Sequence, residues 1–206
     1  MTIIKRIKNK LKSHQGFTLA ELLMTTLIMM IATGMITQTL DLALKQFQKS
    51  TQISEAHTLC SALSTYVDGE LTYATMDGSK LTGDKVVFDS DGHGLGAGSF
   101  FAIKTTSGST PVGNNTTAVG KLVECPGADS TKEFNPVGNA SYEISGLASQ
   151  ELFVGMSIRP GKKYDEHGDI TSENDGHSIV IHLWVQDKNG NTLADRNMRV
   201  IPLAIN

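Results

Sequence analysis

Apolar residues follow two different patterns in the first third of the chain. Between positions 22 and 40 no charged residue interrupts them, and the run approaches the length of about 20 residues that a transmembrane helix needs. After position 40 they recur mostly at intervals of three or four, which is the period of an amphipathic helix. The apolar positions of this second stretch are Leu40, Leu44, Phe47, Ala56, Leu59, Cys60, Leu63 and Val67.

These patterns predict one long helix over 17–68, with its first half, about 17–40, in a membrane. No proline occurs before Pro111, and Gly34 is the only glycine within the predicted helix. A glycine costs about 1 kcal/mol relative to alanine inside a helix and is tolerated in membrane segments. Gly69 is the predicted C-terminal stop.

Residues 69–206 are predicted to form one globular, mainly antiparallel β domain. The predicted strands are 85–89, 100–105, 121–125, 142–145, 152–158, 178–186 and 197–203. The small polar residues of 107–115 predict a loop. An Asn-Gly pair at Asn189 predicts a hairpin between the last two strands. The expected fold class is α+β: a long N-terminal helix, transmembrane in its first half, packed on a C-terminal antiparallel sheet.

Charge is unevenly distributed between the ends of the chain. Five basic residues and no acidic ones lie in 1–16, and without them the formal net charge falls from −3 to −8. These residues are Lys5, Arg6, Lys8, Lys10 and Lys12. By the positive-inside bias, we expect this segment to lie on the cytoplasmic side of the cell membrane and the residues after the span to lie on the outer side. No basic cluster remains after position 16, so charge does not favour nucleic acid as a partner.

Glu21 is the one charged residue of the 17–40 segment. A charge at mid-bilayer costs about 2.5–3.5 kcal/mol, and less near the edge, so an unpaired carboxylate here is a defect unless it is used. It is the fifth residue after Gly16 in the stretch Gly16-Phe17-Thr18-Leu19-Ala20-Glu21-Leu22-Leu23. This stretch resembles the cleavage and methylation motif of prepilins, the precursors of type IV pilins and type II secretion pseudopilins.

The resemblance implies a set of roles, residue by residue. Prepilin peptidase would remove residues 1–16 as a leader by cutting between Gly16 and Phe17. Phe17 would then be N-methylated, and Glu21 would guide assembly. The implied partners are other pilin or pseudopilin subunits, the peptidase, a membrane assembly platform and lipid. The implied product is a pilin-like filament subunit that leaves the membrane for an extracellular filament or pseudopilus, in adhesion, competence or protein secretion.

Other interpretations of the N-terminal segment stay open. A secretory signal also pairs a basic segment with an apolar one, although its apolar core is usually about 7–15 residues long. A plain anchor also fits the length of the run. The alternative function is therefore a single-span, membrane-anchored extracellular binding domain that does not polymerise. Neither alternative explains why Glu21 follows a Gly16–Phe17 step at this spacing.

The two cysteines, Cys60 and Cys125, allow one disulfide in an exported domain. The alternative is that Cys60, within the helical apolar pattern, is a buried small hydrophobe. Both interpretations stay open at this point.

An oxygen-rich segment near the C-terminus is a weak candidate for calcium. Its carboxylates are Asp165, Asp169, Glu173 and Asp175. Calcium takes several carboxylate and carbonyl oxygens at once, and the alternative is an ordinary solvated acidic loop. No HExxH or nucleophile motif occurs, so we expect no enzyme activity and no other cofactor.

Overall fold

The computed structural model describes residues 18–76, 87–90, 96–113, 116–126, 132–144, 151–167, 169–202 and 204–205. One helix, α1 (Leu19–Tyr73), is followed by strands and a short 3₁₀ helix, η1 (Asn139–Tyr142). The strands are β1 (Thr75–Met76), β2 (Val87–Ser90), β3 (Gly96–Thr105), β4 (Gly108–Pro111), β5 (Val119–Cys125), β6 (Phe153–Tyr164), β7 (Ile170–Gln186), β8 (Thr192–Val200) and β9 (Ala204–Ile205).

The long helix predicted over 17–68 is present, but its predicted C-terminal stop is wrong. Gly69 lies inside α1, which continues to Tyr73. Leu63, Val67 and Leu71 are all fully buried at a spacing of four residues. The apolar face of the helix therefore extends past the glycine, and the burial of Leu71 outweighs the poor helix propensity of Gly69.

Contacts divide the chain into two units, Met1–Phe47 and Gln48–Asn206. In the first unit, every described residue is exposed and all of them from Leu19 onwards are helical. By length and composition, α1 qualifies as a candidate membrane span, and the apolar window that qualifies it is not buried within the protein.

The second unit is a sheet with the C-terminal part of α1 packed on it. The strand order is β8-β7-β6-β5-β3-β2-β1-β9, and β4 pairs with β3. Among the described strands, every pairing is antiparallel except that of β1 with β9. The structure therefore confirms an α+β fold in which a long N-terminal helix packs with an antiparallel sheet.

The main core lies between α1 and one face of the sheet. The helix contributes Ala56, Leu59, Cys60, Leu63, Val67 and Leu71, and the longest strands contribute Val154, Met156, Ile158, Ile179, Ile181, Leu183 and Val185. The strand residues in this list alternate in sequence, because successive side chains of a strand point to opposite faces. The sheet residues between them form the outer face, away from α1.

Several strands differ from their predicted positions. The segment predicted as a loop at 107–115 contains β4, whose four residues are all exposed. Of the strand predicted at 142–145, Tyr142 instead ends η1, Glu143 forms only an isolated bridge with Glu151, and residue 145 lies outside the described residues. The side chain of Tyr142 is fully buried, and the Leu122 N–H donates a hydrogen bond to the Tyr142 hydroxyl at 3.0 Å. The 3₁₀ turn therefore buries the aromatic ring of Tyr142 and gives its hydroxyl a hydrogen-bond partner.

The predicted hairpin before the last long strand is confirmed. β7 and β8 pair antiparallel, and Gly190 adopts a positive φ of 84° in the turn between them. Asp187 Oδ1 accepts hydrogen bonds from the backbone N–H groups of Asn189 and Asn191 at 2.8 and 2.9 Å. The turn residues thus supply the backbone conformation and the polar contacts that an Asn-Gly turn requires.

Candidate assembly site at the helix N-terminus

The first turn of α1 is closed by a reciprocal pair of side-chain contacts. Thr18 Oγ1 accepts a hydrogen bond from the Glu21 N–H at 3.2 Å. Glu21 Oε2 accepts hydrogen bonds from the Thr18 N–H and from Thr18 Oγ1, both at 3.1 Å. This is a capping box, in which the N-cap residue and the third helical residue satisfy each other's backbone donors. Glu21 therefore has a structural role in a single chain.

The position of Glu21 also fits the electrostatics of the helix. A helix N-terminus carries a partial positive charge, which a carboxylate in the first turn stabilises. The next acidic residue along the chain is Asp41, and it is already paired with Lys45, Nζ to Oδ2, at 2.7 Å. Glu21 is therefore the only carboxylate near this end of the helix in the sequence after position 16.

The threonine hydroxyls of the apolar segment are satisfied within the helix. Thr25 and Thr26 donate to carbonyl oxygens three residues earlier, both at 2.9 Å. Thr33, Thr37 and Thr39 donate to carbonyl oxygens four residues earlier, at 2.8 to 2.9 Å. In a medium without water, polar groups must find their partners within the protein. These threonines can thus lie in an apolar medium without leaving a donor unpaired.

The apolar side chains of the first unit remain uncovered. They are between 52% and 82% exposed, and they are Leu19, Leu22, Leu23, Met24, Leu27, Ile28, Met29, Met30, Ile31, Met35, Ile36, Leu40, Leu42, Leu44 and Phe47. Apolar surface of this extent marks a site of contact with lipid or with another protein.

The predicted processing site, Gly16 and Phe17, lies outside the described residues. The first described residue, Thr18, directly follows it in the chain. Cleavage between Gly16 and Phe17 and methylation of Phe17 therefore stay predictions, while Glu21 is the member of the predicted site that the structure describes.

Cys60 and Cys125 are free thiols in this structure, so the disulfide that their even number allows is not formed. Cys60 belongs to the main core, between α1 and the sheet. Cys125 belongs to a smaller buried cluster with Phe100, Ala102 and Val123. Because the β3 neighbours of Phe100 and Ala102 point into the main core, this cluster lies on the opposite face of the sheet. Burial raises the pKa of both thiols.

Two of the calcium candidates lie in the turn between β6 and β7. Asp165 Oδ1 accepts hydrogen bonds from the backbone N–H groups of His167 and Asp169, both at 2.9 Å. The Asp165 N–H in turn donates to the Asp169 carbonyl oxygen at 2.9 Å. The carboxylate of Asp165 thus stabilises the turn itself.

The other two calcium candidates, Glu173 and Asp175, pair with basic side chains. Lys163 Nζ lies 3.1 Å from Glu173 Oε2, and Arg199 Nη2 lies 2.6 Å from Asp175 Oδ2. Within the described residues, no group of three or more His, Cys, Asp and Glu side chains is placed to hold a metal ion. Much of the segment predicted as an acidic loop is β7, which begins at Ile170, and calcium binding stays a prediction.

Sequence reasoning missed two features of the second unit. One is a partly buried hydrogen bond between Tyr66 and Glu124, which joins α1 to β5. The other is a groove on the outer face of the sheet beside Trp184, the only tryptophan of the chain. The sequence did contain a signal for the groove. His182 and the lone Trp184 are two residues apart in a predicted strand, so their side chains must lie on the same face of the sheet.

No protein-family model, no curated protein and no solved structure matches this chain. The class that the described residues define is an α+β protein with one candidate membrane span, in which the C-terminal part of the long helix packs on an antiparallel sheet.

Proposed function

We propose that this protein is the subunit of a type IV pilin-like or pseudopilin-like filament. In this proposal, prepilin peptidase cuts between Gly16 and Phe17, and Phe17 is N-methylated. The helix is held in the membrane until an assembly platform moves it into the filament. The observation that carries the proposal is the placement of Glu21, the one charged residue of the apolar segment 17–40, in the first turn of α1 next to the predicted cut.

The chemistry of the cut explains why a carboxylate is needed there. Cleavage would create a new ammonium group on Phe17, one residue before the N-cap Thr18. A cation at a helix N-terminus is destabilised by the helix dipole. Glu21 is the carboxylate that can compensate for it, on the same chain or on a neighbouring copy. The proposed assembly contact is the pairing of Glu21 with the amine of Phe17 on a neighbouring subunit.

The apolar surroundings of this charge pair would allow it to determine how neighbouring subunits align in the filament. In a filament whose core is made of apolar helices, both charges lie in a medium of low dielectric constant. Removing one partner of a buried pair costs about 3–5 kcal/mol, because the other charge stays buried without compensation. That penalty corresponds to more than about a hundredfold in an equilibrium constant, so subunits docked out of register would be rejected.

The charge of Glu21 can be tested separately from its capping role. Glutamine can replace glutamate in a capping box, so Glu21→Gln removes the charge and keeps the cap. Thr18→Val removes the cap and keeps the charge. We expect Glu21→Gln to be cleaved normally and to reach sheared surface filaments at less than about a hundredth of the wild-type level. We expect Thr18→Val to be incorporated.

A matched control is Asp41→Asn, which neutralises an exposed carboxylate on the same helix beyond the apolar segment. It should be incorporated like the wild type. Incorporation of Glu21→Gln at the wild-type level would contradict the assembly role. Gly16→Val should leave an uncleaved, membrane-bound precursor, and normal processing of that variant would contradict the peptidase assignment.

A further inference from the structure

The outer face of the second unit carries an open groove of about 500 Å³. It is lined by Trp184 and His182 of β7, Asp195 and Thr192 of β8, and Ser157 of β6, together with Thr116 and Thr117. Three neighbouring strands and the segment before β5 thus line it, on the face of the sheet away from α1. Ligand sites in proteins have volumes of about 300–1,000 Å³ and combine aromatic side chains with a few polar groups.

The sheet makes room for the indole of Trp184 by means of a glycine. Gly155 is the partner of Trp184 across the β6–β7 pairing. A Cβ atom on residue 155 would lie 2.2 Å from two ring carbons of Trp184, so any larger residue would displace the ring. Glycine inside a strand weakens the strand and often marks a site of close approach. The imidazole of His182 stacks against Trp184, with ring centres 5.0 Å apart and planes 30° apart.

A carboxylate and several hydroxyls surround this aromatic pair. Asp195 lies opposite Trp184 across the β7–β8 pairing, and its Oδ2 atom is 4.0 Å from His182 Nε2. The lining hydroxyls belong to Ser157, Thr116, Thr117 and Thr192, and no lysine or arginine is among the described lining residues. Each hydroxyl both donates and accepts hydrogen bonds. The polar edge is thus suited to a hydroxyl-rich ligand that carries no phosphate or carboxylate.

We propose that this groove binds a neutral carbohydrate. One face of a sugar ring consists of C–H bonds with partial positive charge, which contact the negative face of an indole favourably. The equatorial hydroxyls of the same ring would reach the Asp195 carboxylate and the hydroxyls at the edge. A ligand with a phosphate group would instead be repelled by Asp195. This site would give the second unit a binding function, whether or not the chain forms a filament.

The single tryptophan makes the test direct, since all tryptophan fluorescence comes from the proposed site. The full chain would be purified in a polyoxyethylene detergent, because many common detergents carry sugar head groups. Probes would be glucose, galactose, mannose and N-acetylglucosamine, each as the monosaccharide and as a linear trisaccharide. We expect a saturable change in fluorescence with at least one probe below about 100 mM, which is a hundred times a Kd of about 1 mM.

Two variants connect the signal to the groove. Asp195→Ala removes the exposed carboxylate, and we expect it to weaken binding about tenfold or more. Its matched control is Glu166→Ala, which removes an exposed carboxylate from the turn at the distant end of the β6–β7 hairpin and should bind like the wild type. Both variants should unfold at the wild-type temperature, since both side chains are exposed.

Two results would overturn the assignment. One is the absence of a saturable change with every sugar. The other is saturation by choline without saturation by any sugar, because an aromatic ring beside a carboxylate also suits a quaternary ammonium group. Neither result touches the filament proposal, which is tested by processing and incorporation.

Discussion

Tyr66 and Glu124 form a hydrogen bond across the interface between helix and sheet, with 2.5 Å between the Tyr66 hydroxyl and Glu124 Oε2. The carboxylate of Glu124 is fully buried in the centre of the sheet. Its backbone exchanges two hydrogen bonds of 2.8 Å with Phe134, whose ring centre lies 6.4 Å from that of Tyr66. This polar contact joins α1 to β5, and a second one joins α1 to β8, because Arg196 Nη1 donates to Ser64 Oγ at 2.8 Å.

Removal of this contact should destabilise the second unit. Tyr66→Phe deletes the hydroxyl, and Glu124 loses that donor while its carboxylate stays buried. Loss of a partner for a buried polar group costs about 1–3 kcal/mol, and more for a charged one. We expect the free energy of unfolding to fall by at least that amount in chemical denaturation of the full chain.

The matched control is Tyr73→Phe, because Tyr73 lies on the same helix and is 77% exposed. Exposed substitutions usually change stability by less than about 0.5 kcal/mol. Equal effects of the two variants would contradict a special role of the Tyr66 hydroxyl.

Alkaline pH should destabilise the fold through two tyrosines. Burial raises the pKa of Tyr66, and the hydrogen bond to Glu124 raises it further. Burial raises the pKa of Tyr142 to about 12, against the opposing effect of its bond with the Leu122 backbone. The folded state therefore holds both protons more tightly than the unfolded chain, whose tyrosines ionise near pH 10. This part of the stability is complete below about pH 10 and is lost as the pH rises further.

The measurement is the free energy of unfolding between about pH 8 and pH 11.5. This range brackets the pKa of about 10 at which the tyrosines of the unfolded chain ionise. Other groups titrate in the same range, so the comparison is between the wild type and the double variant Tyr66→Phe, Tyr142→Phe. We expect a smaller decrease with pH in the double variant. Parallel curves would show that neither hydroxyl has a raised pKa.

Two glycines should respond in opposite ways to alanine. Gly69 lies inside α1, and a Cβ atom added there meets nothing within 4 Å. Gly69→Ala should stabilise the protein by about 0.5–1 kcal/mol, because alanine restricts the unfolded chain and favours helix. At Gly120, a Cβ atom would lie 2.1 Å from the Lys104 carbonyl oxygen, so Gly120→Ala should destabilise the protein. Thermal unfolding of both variants checks the pair, and destabilisation by Gly69→Ala would mean that the helix ends before residue 69.

The cysteines should be unreactive in the folded protein. Only the thiolate reacts with alkylating reagents, and burial raises the pKa of both Cys60 and Cys125. We expect iodoacetamide at neutral pH to modify neither thiol in the native protein and both after unfolding without reductant. If the unfolded protein gains the two labels only after a reductant is added, the two cysteines form a disulfide, which would contradict the free thiols of this structure.

The long helix was predictable because its signals are local. The uncharged run and the spacing of Leu59, Leu63 and Val67 are read directly from neighbouring positions. Its end was not predictable in this way, since the burial of Leu71 depends on a sheet formed much later in the chain. β4 escaped prediction for a related reason: its residues are all exposed, so no alternation of apolar and polar positions marks it.

The candidate assembly site was predictable in part. The spacing between Gly16, Phe17 and Glu21 is visible in the sequence, and a threonine three residues before a glutamate is a capping signal that accompanies it. The groove was not predictable, because Gly155, Trp184 and Asp195 lie on three different strands. Their approach is set by the register of two strand pairings, which no single segment of the sequence specifies.

The most direct test of the filament proposal is the intact mass of the mature protein isolated from its own cells. We predict a chain that begins at Phe17, lacks residues 1–16 and carries one additional methyl group on the terminal amine, located by fragmentation of the N-terminal peptide. A chain that retains residues 1–16, or one that is cut at another position, would contradict the proposal.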